Sequence, residues 1–338
     1  FEGMSDIKGV SVGMLRQVKE DTGEADIRKV VKKTYFNAVS FTKGVMNKMK
    51  AGEKVNMKKA KRVIESLVDM LLHQEELLIG MTAIKDYDDY TYHHSVNVSI
   101  LSVALGQRIG IPKNSLLDLG IVSLFHDIGK TEVPPEVLNK TTPFTEEEWK
   151  TIKKHPLWGV RAIMKMKRLD PVSIRSAIVA FEHHIHSDHT GYPVRKKPSE
   201  LDLFSKIVSI ADQYDGMTSS RVYSRVPMPP DKALSLMAER AENQLDPILL
   251  KFFINMVGVY PTGSLVMLDT KELGLVYSGN LALPERPKVL VIVNPKGKRI
   301  QPYIVDLAEK IDTVHYKRSI LKTLDPNKYR INLAEYLL

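Results

Sequence analysis

No cysteine occurs among the 338 residues. Its absence excludes a disulfide framework, thiolate-held zinc and a cysteine nucleophile, and it suits a reducing compartment. Long apolar runs are missing too. A membrane-spanning helix needs about 18 or more consecutive apolar residues, whereas the stretch from Leu281 to Val293 is broken by Pro284, Glu285, Arg286, Pro287 and Lys288. The opening residues Phe1, Glu2, Gly3 and Met4 lack the basic-then-apolar layout of a secretory signal. Internal repeats and low-complexity segments are absent as well. A cytoplasmic protein is expected, with no membrane span. Hydrophobic residues at 43% and charged residues at 26% are those of an ordinary globular chain. The length accommodates one large domain or two smaller ones.

The net charge of +9 invites a nucleic-acid reading until it is placed along the chain. Residues 1–80 carry +4, residues 81–284 carry 0 and residues 285–338 carry +5. The excess lies outside the middle, where the chemistry concentrates, so a solvated surface explains it better than a polyanion-binding groove, and no DNA partner is expected.

Apolar positions at helical spacing (Val30, Val31, Phe36, Val39, then Val63, Leu67, Met70, Leu71) predict two helices over 25–80, parted at Ala51-Gly52. The segment to about 257 reads as helical and well punctuated. Gly110 and Pro112 close one helix, and Asn114 or Ser115 opens the next. Thr145 with Glu148 makes a capping box, and Pro171, Pro229-Pro230 and Pro247 fit helix starts. After Val259 strand-like segments appear at 264–268, 274–277 and 288–293. The expected fold is mainly α, with an N-terminal helical module (1–85), a helical central domain (86–260) and a small C-terminal β-containing region (261–338).

Eight of the ten histidines fall within residues 93–189, a density that packing alone does not produce. Neutral imidazoles and carboxylates are the usual donors for Mn, Fe and Zn ions. His126-Asp127 follows an apolar helix carrying Leu116, Leu119, Val122 and Phe125, with Gly129-Lys130 close behind. Alone, such a pair is more often a cap or a surface pair; the other groups raise its weight. His94 stands at the end of the stripe Val98, Leu101, Leu105, and His93 has a similar claim through Val96, Ile100 and Ala104. Periodicity does not choose between them. His155 precedes Pro156 at the expected end of the Thr145-capped helix, where a helix C-terminus alone accounts for a histidine. His183-His184 ends the helix from Pro171, whose inner face is expected to be Ile174, Ile178 and Phe181. Asp212 shares a stripe with Phe204, Val208 and Ala211, so a carboxylate faces the core, which is costly unless it is paired or metal-bound.

In this order the motifs resemble those of the HD-GYP family, a branch of the HD metal-dependent phosphohydrolases. The match runs from about Asp88 to Tyr260. It includes Tyr-Thr-Tyr-His-His94, His126-Asp-Ile-Gly-Lys130, Lys154-His155-Pro, His183-His184, Gly191-Tyr192-Pro193, and the run from Asp212 through Asp215 and Arg221 to Tyr223. The resemblance implies an HD-type helical bundle that hydrolyses cyclic di-GMP to linear pGpG, and possibly on to GMP, by in-line attack of a metal-bridging hydroxide. By position, His94, His126, Asp127 and Asp212 would hold one divalent ion. Asp127 would bridge to a second held by His155, His183 and His184. Iron is favoured, with manganese as the substitute. Lys130 would neutralise phosphate charge or assist the leaving oxygen. Gly191, Tyr192 and Pro193 would shape the site mouth, and Arg221 and Tyr223 would contact phosphate and guanine.

The chain also departs from the family pattern. Ile185, His186, Ser187, Asp188, His189 and Thr190 replace the usual acidic, basic and glycine residues between the paired histidines and Gly191. The change bears on turnover more than on metal binding, and His186 and His189 are read as loop residues. Members with three metals place a carboxylate where Tyr90 stands here, so two ions are expected; Asp88 and Asp89 are mis-spaced. Ser224 stands where many members carry a basic residue. Cyclic GMP-AMP is an alternative substrate. A different class of reading is a slow, metal-loaded sensor that binds a dinucleotide or a diguanylate cyclase through the Gly191-Tyr192-Pro193 loop. A triphosphohydrolase would leave that loop unexplained. The apolar stripes of the N-terminal helices prompt the expectation of a homodimer.

Overall fold

The computed structural model describes residues 24–51, 53, 57–83, 90–165, 170–197, 199–219, 227–280, 282–326, 329, 331 and 336. Helices α1 (Glu24–Lys50) and α2 (Met57–Met81) form as their apolar spacing predicts. Their buried residues, Val31, Tyr35, Val39, Ile64, Leu67 and Leu71 among them, belong to one hydrophobic core that continues to Val257. Helix α3 (Tyr90–Arg108) is the centre of that core. It is buried on all sides from His93 to Gly106, polar residues such as Ser95, Asn97, Ser99 and Ser102 included, which marks it as the central helix of the bundle. Around it stand α4 (Lys113–Leu124), α9 (Leu203–Thr218) and α11 (Pro247–Val257), which pack on it directly together with α1 and α2.

The chain between α4 and α9 makes a short 3-10 helix η1 (Ile128–Glu132), then α5 (Pro135–Leu138), α6 (Glu146–Ile152), α7 (His155–Met164) and α8 (Pro171–Glu182). Helix α10 (Pro230–Arg240) precedes α11. The expected starts form where first-turn prolines and caps coincide. Asp170 accepts from Ser173 N, Asp246 accepts from Ile248 N and Leu249 N, and Thr145 with Glu148 closes both bonds of the capping box. Each cap contributes about 1 kcal/mol.

Three expectations are corrected. Helix α4 begins at Lys113 behind Pro112, without a side-chain cap from Asn114 or Ser115. His155 opens α7 rather than ending α6, because α6 stops at Ile152. The inner face of α8 consists of Ser173, Ser176, Ala177, Val179 and Ala180, while Ile174 and Ile178 are 51% and 37% exposed. Small residues are needed there because α7 comes close: a Cβ placed on Gly159 would lie 3.3 Å from Ala180 Cβ.

Strands β1 (Leu265–Leu268), β2 (Leu273–Ser278), β3 (Lys288–Val293), β4 (Arg299–Asp306) and β5 (Ile320–Leu324) form one antiparallel sheet in the order β4-β3-β2-β1-β5. Alternation along β1 and β2 divides Val266, Leu268 and Val276 from Leu265, Leu273 and Leu275, giving two separate apolar clusters. The sheet is tied to the helices by Arg28, which donates to the Tyr277 hydroxyl, and by Thr323, whose hydroxyl donates to Asp231 at 2.9 Å. Among the described residues no helix is long and apolar enough to cross a membrane.

Candidate metal centre

Five elements converge on one buried spot. Helix α3 brings His94, the turn after α4 brings His126 and Asp127, and the first residue of α7 is His155. The end of α8 brings His183 and His184, and α9 brings Asp212. Gly129 permits the approach of η1 to α7: a Cβ there would stand 1.9 Å from His155 O and 2.4 Å from Gly159 N. No other residue type fits without moving one of these elements apart.

The seven candidate residues fall into two groups. His94, His126, Asp127 and Asp212 have donor atoms within 4.8 Å of one another, and so do Asp127, His155, His183 and His184. Asp127 belongs to both groups and divides its oxygens between them. Its Oδ2 lies 3.5 Å from His94 Nε2 and 3.4 Å from His126 Nε2, whereas its Oδ1 lies 3.2 Å from His155 Nε2 and 3.7 Å from His183 Nε2. Asp212 Oδ1 is 3.0 Å from His94 Nε2, and its Oδ2 is 3.7 Å from His184 Nδ1.

Backbone carbonyls fix three of the tautomers. His126 Nδ1 donates to Ser123 O at 2.7 Å, His155 Nδ1 to Ile152 O at 2.8 Å and His183 Nδ1 to Val179 O at 3.1 Å. A carbonyl only accepts, so each Nδ1 carries a proton and each Nε2 is the atom turned toward the centre. His94 is held by a carboxylate instead, with Nδ1 2.7 Å from Asp215 Oδ2. Asn97 Nδ2 donates to the other Asp215 oxygen at 2.9 Å, and the Tyr35 hydroxyl donates to Asn97 Oδ1 at 2.9 Å. This chain of contacts reaches α1 and was not visible in the sequence. The i, i+3 spacing of Asp212 and Asp215 on one helix face was its one available signal. His93 turns to the Tyr35 hydroxyl, 2.9 Å away, and is in neither group.

The donor set fits divalent cations. Among the described residues, His94 Nε2, His126 Nε2 and Asp127 Oδ1 are buried and find no well-formed hydrogen bond, an arrangement that costs free energy unless a cation completes it. The electrostatics point the same way. Burial alone would raise the Asp127 carboxyl, yet Lys130, His126 and His155 hold it well below the usual carboxylate range. Burial likewise opposes the charge on Asp212, but His126, His94 and His184 hold it well below that range too. Burial would depress His94, and Tyr90 with Asp127, Asp212 and Asp215 instead holds it well above its ordinary value; His126 is also raised, by Asp127 and Asp212 against burial. Burial pushes His155 down to about 4, and burial with the neighbouring His183 holds His184 well below 6.5. Lys130 pairs directly with Asp127 Oδ2.

The loop after His184 is firmly held despite its unusual residues. Gly191 bridges Ile185, His186 N donates to Thr190 O at 3.0 Å, and Tyr192 N donates to His184 O at 3.1 Å. Gly191 has φ +90°, and a Cβ on it would stand 2.3 Å from His184 O, so the position requires glycine. Ser187 N and Asp188 N donate to Gln244 O and Asn243 O beyond α10. His186 faces the Thr190 hydroxyl at 2.8 Å, and neither it nor His189 joins the two groups. Pro193 follows Tyr192 through a cis peptide bond. The Tyr192 ring covers His184, with centroids 4.6 Å apart.

A cavity of about 350 Å³ opens over the centre, with His94, His155, His184 and Asp212 in its lining. Lys130, Tyr90 and Tyr192 also line it, as do Trp149 and, from α1, Asn47 and Lys50. The last three carried no signal in the sequence. The Tyr90 ring stacks on His94, with centroids 5.6 Å apart and planes at 15°. Arg221, Tyr223, Ser224, Asp88 and Asp89 lie outside the described residues.

Residues 62–249 match the HD domain family, and residues 265–332 match a KOW domain associated with HD domain. The curated relatives include the cyclic di-GMP phosphodiesterase PA4108 of Pseudomonas aeruginosa, 30% identical over 76% of this chain and 61% of that protein. They also include the 3'3'-cGAMP-specific phosphodiesterase 3 of Vibrio cholerae, 31% identical over 47% of this chain and 33% of that protein. The cyclic di-GMP phosphodiesterase PdeB of Borreliella burgdorferi is 26% identical over 73% and 64%. The chain thus spans less than two thirds of the length of each. Among solved structures, Bd1817, an HDG"Y"P protein of Bdellovibrio bacteriovorus, superposes with a TM-score of 0.56 at 20% identity, covering 69% of this chain and 73% of that one; this is a likeness of fold. With more than half of its residues in the HD match, the chain belongs to the HD domain family.

Proposed function

We propose that this chain is a metal-dependent phosphodiesterase that opens cyclic di-GMP to linear pGpG. The observation that carries the reading is the pair of His/Asp groups joined through the two oxygens of Asp127. Asp127, with His94, His126 and Asp212, would hold one divalent ion, and with His155, His183 and His184 a second; we favour iron, with manganese as the substitute. Bound there, such ions would lower the pKa of a coordinated water and draw charge from the phosphodiester.

The protein supplies the remainder of the chemistry. Among the described residues, the cavity lining carries the Lys50 and Lys130 ammonium groups and one carboxylate, Asp212, which suits an anionic ligand. In hydrolysis, water adds to phosphorus, the bond to one ribose 3' oxygen breaks, and that oxygen leaves with a proton. Lys130 Nζ, which pairs with Asp127, would neutralise phosphate charge and supply that proton. Gly191 lets backbone approach the ligand, and Tyr192 and Pro193 shape the opening. Arg221 and Tyr223 complete the contacts to phosphate and base in this reading.

The relative named as specific for 3'3'-cGAMP favours a second substrate, cyclic GMP-AMP, cleaved by the same centre. Incubating the iron- or manganese-loaded chain with each cyclic dinucleotide and separating the products by chromatography tests both. Linear pGpG from cyclic di-GMP is the expected product. A metal-loaded chain that leaves both rings closed overturns the reading.

A further inference from the structure

Of the two tryptophans in the chain, Trp149 and Trp158, Trp149 lines the cavity and is 41% exposed. Leaving so large an apolar surface in water is unfavourable unless a ligand covers it. The ring is not loose. Helix α6, which carries it, is fixed by the Thr145–Glu148 capping box, and Glu148 also pairs with Lys140 at 2.5 Å. Phe144 lies nearly parallel to Trp149, with centroids 6.1 Å apart and planes at 13°. Tyr192 meets it edge-on at 6.3 Å, and Tyr192 in turn covers His184 at 4.6 Å. A row of rings therefore leads from the His/Asp centre to the exposed side of the cavity. Lys153 Nζ stands 6.0 Å from the Trp149 centroid, adding positive charge beside this platform.

We propose that Trp149, braced by Phe144 and Tyr192, is the surface on which one purine base of a bound cyclic dinucleotide stacks while a phosphate occupies the His/Asp centre. This assignment rests on the phosphodiesterase reading and deepens it. Stacking on an aromatic face tolerates either purine, so Trp149 sets affinity and leaves the choice between cyclic di-GMP and cyclic GMP-AMP to other contacts.

The test uses the full metal-loaded chain carrying Trp158→Phe, in which Trp149 is the one remaining tryptophan, excited selectively over the tyrosines. GMP bears the base but has no diester to cleave; ribose 5-phosphate lacks the base. Saturable quenching by GMP with none by ribose 5-phosphate is expected. Trp149→Ala is expected to raise KM for cyclic di-GMP about tenfold, with kcat changed far less, on the scale of a lost base–aromatic stack. Trp149→Phe should recover most of that loss. Emission indifferent to GMP, or an unaltered KM in Trp149→Ala, overturns the assignment. A fall in metal content and kcat at constant KM also overturns it, because Trp149 is then structural. If the metal-loaded chain opens neither ring yet GMP still quenches Trp149, the phosphodiesterase reading fails and the base platform stands.

Discussion

Asp215 Oδ2 accepts a hydrogen bond from His94 Nδ1 at 2.7 Å, with both side chains buried. The contact fixes the ring so that Nε2 faces Asp127 and Asp212. Partners of this kind set the orientation and basicity of a metal-binding imidazole. Asp215→Ala is therefore expected to weaken the His94 group for its ion by about 10- to 100-fold. The group built on His155, His183 and His184 should keep its ion. Titration against a competing chelator, with metal read out by absorption spectrometry, checks both halves.

Metal uptake at pH 7 should expel protons. His94 sits well above 6.5 because Tyr90 and its carboxylate neighbours outweigh burial, which favours its protonated form in the metal-free protein; His155 at about 4, with burial the largest cause, is already neutral. Donor nitrogens must be unprotonated to bind. Calorimetric loading in buffers of different ionisation enthalpy should report release of about one proton or more per chain, from the His94 group. Heats independent of the buffer would contradict this ordering.

Gly129→Ala puts a methyl carbon 1.9 Å from His155 O. Backbone has to move on one side, at a cost of about 1–3 kcal/mol. The variant should melt several degrees lower and lose the ion held through His155. Circular dichroism melting beside metal analysis tests the pair of effects.

Lys50 brings charge to the cavity from a helix that carries no candidate metal-binding residue. Lys50→Ala should raise KM for cyclic di-GMP by about threefold, the scale of one partly solvated charge pair. Metal content should stay at two ions per chain, and the dependence of KM on salt should become shallower. Steady-state kinetics at two ionic strengths gives the answer.

Several helix starts were legible in the sequence because they rest on local chemistry: Pro171, Pro247 and Thr145 with Glu148 open helices as read, and the structure adds the caps of Asp170 and Asp246. Strands β4 and β5 were not, because an edge strand can form with most of its side chains in water; Arg299, Gln301 and Lys322 are exposed. The face of α8 was misjudged because Ile174 and Ile178 fit a helical stripe as well as the small residues do, and only the approach of α7 decides between them. The candidate donors were legible as ordered motifs. How Asp127 divides its oxygens, and the path from His94 through Asp215 and Asn97 to Tyr35, depend on tertiary distances that no spacing encodes.

In the proposed centre Asp127 joins two ion sites through its two oxygens. Metal content and cyclic di-GMP turnover, measured on one anaerobically purified sample beside Asp127→Ala, test it most directly. Two iron or manganese ions per chain, both lost or loosened in Asp127→Ala along with pGpG formation, is the result this structure predicts. Two ions retained at full occupancy in Asp127→Ala, or a parent chain that takes up none, would contradict it.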